Sequence, residues 1–199
     1  MNVNYISVIM ILPVVAYGHP VLKKVAEPIA PDYPGFHEFL ANMWDTMYQS
    51  DGVGLAAPQV NRSIRVIVID TTPFAKNYPD AENFKKAFIN AQIYKEEGEE
   101  FAFNEGCLSF PGLHEDIIRK PVIHIRYLDE NFVEHDERYD GVRARVIQHE
   151  YDHIEGIVFV DRLPSLKRIL LQRRLSDISK GNVEVAYKMT FPQMKKGRR

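Results

Sequence analysis

The chain has 199 residues, 45% hydrophobic and 26% charged, the make-up of a globular protein that buries one good core, so a single domain over 1–199 is expected. A net charge of -2 gives no electrostatic case for nucleic acid as the main ligand, and direct DNA binding is not expected. The one cysteine, Cys107, excludes an internal disulfide, fits the reducing cytoplasm and leaves a thiolate free for a metal.

From the N-terminus, the apolar run Tyr5 to Leu12 has no Lys or Arg before it and Pro13 after it. It is far short of the roughly 20 apolar residues of a membrane span, so no membrane partner is expected and the run reads as a strand. Met10 is an alternative start, which makes residues 1–9 an N-terminal extension. After a proline-punctuated stretch, Phe36, Phe39, Leu40, Met43, Trp44 and Met47 predict a helix whose broad apolar face is core.

Gly52 and Gly54 let a backbone approach a ligand closely, as an edge segment that hydrogen-bonds a peptide main chain would need; a plain turn is the alternative. Residues 64–70, β-branched and nearly continuous, predict a strand covered on both faces. Ile123, Ile125 and Tyr127 share one face of a strand and His124 and Arg126 the other, which makes His124 an exposed residue and no ligand. After Asp129-Glu130-Asn131 a second strand begins, as in a hairpin. Residues 164–179 read as a helix ended by Gly181, 183–191 as a strand, and 192–199 as a basic, disordered tail.

Gln148-His149-Glu150-Tyr151-Asp152-His153 contains the motif H-E-x-x-H. Val142, Val146, His149 and His153 fall at i, i+4, i+7 and i+11, so both histidines continue the inward stripe of an amphipathic helix, away from Arg143 and Arg145 on the charged face. Two imidazoles one turn apart can grip one cation, Glu150 is then a general base rather than a ligand, and Cys107 is the natural third ligand. Three protein ligands leave a fourth position for water, as a catalytic site requires. The architecture expected is α+β: antiparallel strands packed around a central metal-binding helix, with an N-terminal and a C-terminal helix.

Taken together, Gly52-Val53-Gly54-Leu55-Ala56-Ala57-Pro58-Gln59, Glu105-Gly106-Cys107-Leu108-Ser109 and the histidine motif resemble peptide deformylase, from about Ile11 to Leu170. The resemblance implies a metal-dependent hydrolase that removes the N-formyl group from the N-terminal methionine of nascent polypeptides and releases formate. It implies one divalent cation, Fe(II) in the cell with Zn(II), Ni(II) or Co(II) as alternatives, and transient contact with the ribosome. It assigns oxyanion stabilisation to the Gln59 side-chain amide and the Leu108 backbone N–H. It also implies an apolar methionine pocket, for which Val53, Ile147, Phe110, Gly112 and Leu113 are the candidates, beside the peptide-binding Gly52 and Gly54. His114 stands where relatives often carry arginine at the mouth of the site. Glu105 and Arg119 are expected to pair and steady the cysteine loop.

A zinc metallopeptidase uses the same helix motif, but in the extended pattern the last histidine position is Phe159, which cannot bind a metal. A non-catalytic metal-binding or ribosome-associated module, which the basic tail would favour, leaves Glu150 and Gln59 without a role.

Overall fold

The computed structural model describes residues 10–192, so the expected strand from Tyr5 lies in part outside the described residues, as does nearly all of the basic tail. Within them the first strand comes later, at β1 (Val14–Val15). Helix α1 (Phe36–Gln49) follows, with Phe36, Leu40, Met43 and Met47 buried at the spacing of one helical face. Trp44, expected in the core, is only half-buried, and the Lys85 ammonium lies 4.6 Å from its ring centroid.

Strands β2 (Gly54–Ala56), β3 (Val66–Asp70), β4 (Lys85–Glu97), β7 (Val122–Leu128) and β8 (Glu134–Tyr139) form a five-stranded sheet in the order β2-β3-β4-β7-β8. Every pairing in it is antiparallel. Between β4 and β7 the chain makes a separate hairpin, β5 (Phe101–Gly106) against β6 (His114–Arg119). Helices α2 (Gly141–Ile154) and α3 (Ser165–Lys180) follow, and β9 (Met189–Thr190) returns to pair in parallel with β1. This is the α+β arrangement expected. The strand expected over 183–191 shrinks to β9, because only those two residues find a partner, in the short β1.

The continuous apolar run of β3 has a direct cause. Val66 and Val68 pack with Phe36, Leu40, Met43 and Met47 of α1, whereas Ile67 and Ile69 pack with Val142, Val146 and Ile147 of α2. Successive residues of a strand point to opposite faces, and here each face meets a helix. On β7, Ile123, Ile125 and Tyr127 are buried as the alternation requires. His124 departs from expectation: it is half-buried and paired with the Glu97 carboxylate of the neighbouring strand.

Helix α2 is enclosed on more sides than one stripe. Val142, Val146, His149 and His153 are buried, but so is Arg145, at 2% exposure, which the helical pattern had assigned to the charged face. Gly156, at φ 71, lies just past the helix end as expected. Among the described residues, no helix is long and apolar enough to cross a membrane.

Candidate active site

Cys107 sits just beyond β5, in a tight turn closed by the Phe110 N–H to the Cys107 carbonyl at 2.8 Å. His149 and His153 lie one turn apart on α2. One ligand atom from each of the three falls within 4.8 Å of the others, and Cys107 Sγ is 3.3 Å from His153 Nε2. A thiolate and two imidazole nitrogens converging from two elements suit a divalent cation of intermediate softness.

The hairpin and the helix are fastened by buried charge. Arg119 of β6 forks onto Glu105 of β5, Nε to Oε1 at 2.8 Å and Nη2 to Oε2 at 2.9 Å, which realises the expected pair. Its third nitrogen, Nη1, reaches Asp152 of α2 at 2.7 Å. Arg145, from the preceding part of α2, donates to Glu105 Oε1 at 3.2 Å and to the carbonyls of Ile117 and Phe101 at 2.8 and 3.0 Å. Glu105 Oε2 also receives His149 Nδ1 at 2.8 Å. That bond selects the tautomer that leaves His149 Nε2 free toward Cys107 and His153, the arrangement by which carboxylates orient metal-binding imidazoles.

Electrostatics follow from this packing. Burial opposes ionisation of Glu105, yet the hydrogen bonds from His149 and Arg119 hold its carboxyl well below the usual range. Burial likewise disfavours a charged His149, but Cys107 and Glu105 outweigh it and hold the imidazole well above 6.5. A cation at Nε2 must displace that proton, so metal affinity should weaken as pH falls. His153 is held well below 6.5 by burial, then by the charges of His149 and Arg119.

Glu150 lies on the same helix turn, and burial pushes its carboxyl up to about 7. Its Oε2 is buried and has no partner among the described residues. An unsatisfied carboxylate oxygen beside three convergent ligand atoms fits a cation site that also holds water. Gly54 explains itself here, since a Cβ at that position would lie 2.5 Å from Glu150 Oε1.

Gln59 sits in the short 3-10 turn Ala57–Val60 after β2 and is 1% exposed. Its Oε1 accepts the Ala56 N–H at 2.8 Å, which forces the amide NH2 the other way, 3.5 Å from Cys107 Sγ and 3.4 Å from Ser109 Oγ. The donor therefore already points at the cluster.

A cavity of about 430 Å³ opens on this group, and Gly52, Val53, Gly54, Gln59, Cys107, Leu108, Phe110, Gly112, Leu113, His149 and Glu150 all line it. Ile147 does not. It is fully buried with Ile67 and Val142 in the core, and Val146 takes the wall instead, because position 146 shares a helical face with both 149 and 150. His114 also lines the cavity, its ring lying against Gly106, where a Cβ would be 2.6 Å from it. Arg145, Asp152 and Tyr187 were not singled out from sequence. Arg145 lies four residues before His149 and Asp152 three after it, a helical spacing that puts both on the inward side; nothing local to Tyr187 signals its place on the cavity wall.

Phe159, at the position where the extended metallopeptidase pattern needs histidine, packs its ring 6.1 Å from that of His149.

The sequence profile of the polypeptide deformylase family matches residues 11–169. A peptide deformylase of Flavobacterium johnsoniae is 55% identical over 95% of this chain and 100% of that protein. One from Christiangramia forsetii is 56% identical with the same coverage. Among solved structures, a peptide deformylase from Legionella pneumophila has a TM-score of 0.75 at 32% identity, covering 87% of this chain and 98% of the other.

Proposed function

The chain belongs to the polypeptide deformylase family, and on that premise we propose that Cys107, His149 and His153 hold its divalent cation while Glu150 moves the protons of the reaction. The reaction is hydrolysis of the N-formyl group of formyl-methionyl peptides, releasing formate. The observation that carries the assignment of roles is the convergence of one thiolate and two imidazoles beside an unpartnered buried carboxylate, at the floor of a cavity that Cys107, His149 and Glu150 line.

The cation, when bound, supplies a Lewis acid and a water acidified toward neutrality. Glu150 accepts the proton of the attacking water and delivers it to the departing peptide nitrogen, a double duty suited to a carboxyl pushed up to about 7 by burial. The Gln59 amide and the Leu108 N–H face the oxygen on which charge develops. Val53, Phe110, Leu113 and Val146 supply apolar wall for the methionine side chain, and the edge strand β2 offers backbone groups to the peptide. The reading takes residues 10–192 as one catalytic domain, because members of all three core clusters meet at this cavity. It places the reaction in the cytoplasm, on chains emerging from the ribosome. The donor set suits Fe(II), Zn(II), Co(II) or Ni(II), and family resemblance favours Fe(II); metal analysis of anaerobically purified protein, alongside activity, decides between them.

The direct test is formate release from a formyl-methionyl peptide, with acetyl-methionyl peptide as the control. Equal turnover of the two would remove the formyl-specific reading. Cys107→Ser replaces a soft anionic ligand by a neutral hydroxyl and should greatly lower bound metal and activity together. Full metal occupancy in that variant would overturn the coordination.

Gln59→Ala should lower kcat and kcat/KM together by about 10²- to 10³-fold, the usual consequence of removing one oxyanion donor, with metal content and folding intact. A change confined to KM would assign Gln59 to ground-state binding instead.

A further inference from the structure

We propose that the segment after α3 completes the active site, with Tyr187 as a positioning residue for the Leu108 peptide. The family profile ends at residue 169, well before this segment. The inference rests on the deformylase reading above for the role of the Leu108 N–H.

The segment is tied at both ends. Gly181, at φ 76, closes α3, and the Asn182 N–H caps the Asp177 carbonyl at 2.9 Å. At the far end, the Val14 N–H donates to the Lys188 carbonyl and the Ala16 N–H to the Thr190 carbonyl, each at 2.9 Å. Val183, Met189 and Phe191 pack against the core cluster that contains Phe110 and Phe159. Tyr187 therefore cannot wander. Half-buried, it lines the cavity, and its hydroxyl donates to the Leu108 carbonyl at 2.6 Å.

That bond is one of a set. Following the candidate ligand Cys107, the Phe110 N–H holds the Cys107 carbonyl at 2.8 Å and the Tyr17 N–H holds the Ser109 carbonyl at 2.9 Å. The Leu108 carbonyl between them is held by Tyr187 alone among the described residues. Its peptide plane meets, at the Leu108 Cα, the plane that carries the Leu108 N–H, so the two constrain each other through one pair of dihedrals. An oxyanion donor acts by being held in place before charge develops. A restraint on it should thus be felt more in the transition state than in substrate binding.

Tyr187→Phe separates this from simple packing, because the ring stays and only the hydroxyl goes. Expected are a roughly three- to tenfold lower kcat with KM changed by less than about twofold, matching one lost hydrogen bond. Amide exchange at Leu108 and Ser109 of the metal-free protein should quicken, while exchange along α3 stays as in wild type and the melting temperature falls by no more than a few degrees, the cost of one hydrogen bond. Unchanged kcat together with unchanged exchange at those amides would overturn the proposal. So would a general rise in exchange with a larger fall in melting temperature, which marks a packing role only. The exchange measurement needs neither metal nor substrate, so a failure of the deformylase reading would appear separately, as absent formate release by the wild type.

Discussion

Glu150→Gln should fold, retain its metal and lose most of its activity. The substitution keeps the shape of a side chain that is wedged against Gly54, where even a Cβ would come within 2.5 Å of Oε1, and it removes only the ability to take a proton. Each proton transfer by a positioned group contributes about 10²- to 10⁴-fold, and Glu150 serves both the attack and the departure of the amine, so kcat should fall by at least about 10³-fold. Metal analysis and formate release on the same sample decide it. Loss of the metal would make Glu150 a ligand and undo the division of labour. A pH profile adds a second reading. Burial pushes the Glu150 carboxyl up to about 7, and a base works only when deprotonated, so activity should decline on the acid side. A bound cation favours the carboxylate and moves that limb below 7. In the Gln variant the limb should vanish from the residual rate.

Glu105→Gln should be strongly destabilising. Glu105 is 5% exposed and accepts from Arg119, Arg145 and His149. Removing its charge leaves Arg145 without a carboxylate partner and Arg119 with Asp152 alone, although the Gln carbonyl can still accept one hydrogen bond. Breaking a buried pair in this way costs about 3–5 kcal/mol. For a chain of this size that lowers the melting temperature by roughly 10 °C. Metal affinity should fall about 10- to 100-fold as well, because the carboxylate that orients His149 is lost. Calorimetry and metal titration read the two effects independently, and a melting temperature within a degree or two of wild type would show that the charges relax to other partners. The pH dependence has a definite sign. The folded-state value of Glu105 is depressed below its ordinary 4.5, so its contribution is present above that pH and is lost as the solution becomes more acidic. The Gln variant should therefore lose less stability than wild type between neutrality and strong acid.

Much of this site is written in short stretches of chain. His149, Glu150 and His153 stand within one and a half helical turns, and the apolar pattern running into them from Val142 says which way they face. The strand β3 is recognisable from its β-branched run, and the hairpin of β7 and β8 from the alternation along β7 and the turn residues Asp129-Glu130-Asn131 that follow it. Helical periodicity reads one stripe, however, and α2 is buried on more than one. For that reason Arg145 looked solvent-facing, when it is 2% exposed; Ile147, a pocket candidate by family resemblance, belongs instead to the core against β3. His124 failed for a related reason: alternation assigned it the outer face of β7, and only pairing with β4 brings Glu97 beside it.

The local chemistry is therefore legible in the chain alone: a helix that presents two imidazoles and a carboxylate inward, and a thiolate on a glycine-flanked loop with no other cysteine to pair with. Those features depend on residues a few positions apart, where backbone periodicity dictates direction. Bringing Cys107 to within reach of His153 was decided by tertiary structure, through Arg119 and Arg145 pinning the β5–β6 hairpin to α2. The same holds for the approach of Tyr187 to Leu108 across a separation of 79 residues. Contacts of that range carry no period in the chain. They exist because a buried guanidinium or carboxylate must find its partner wherever the packing of the sheet, the hairpin and the helices leaves one, and only the assembled core specifies where that is.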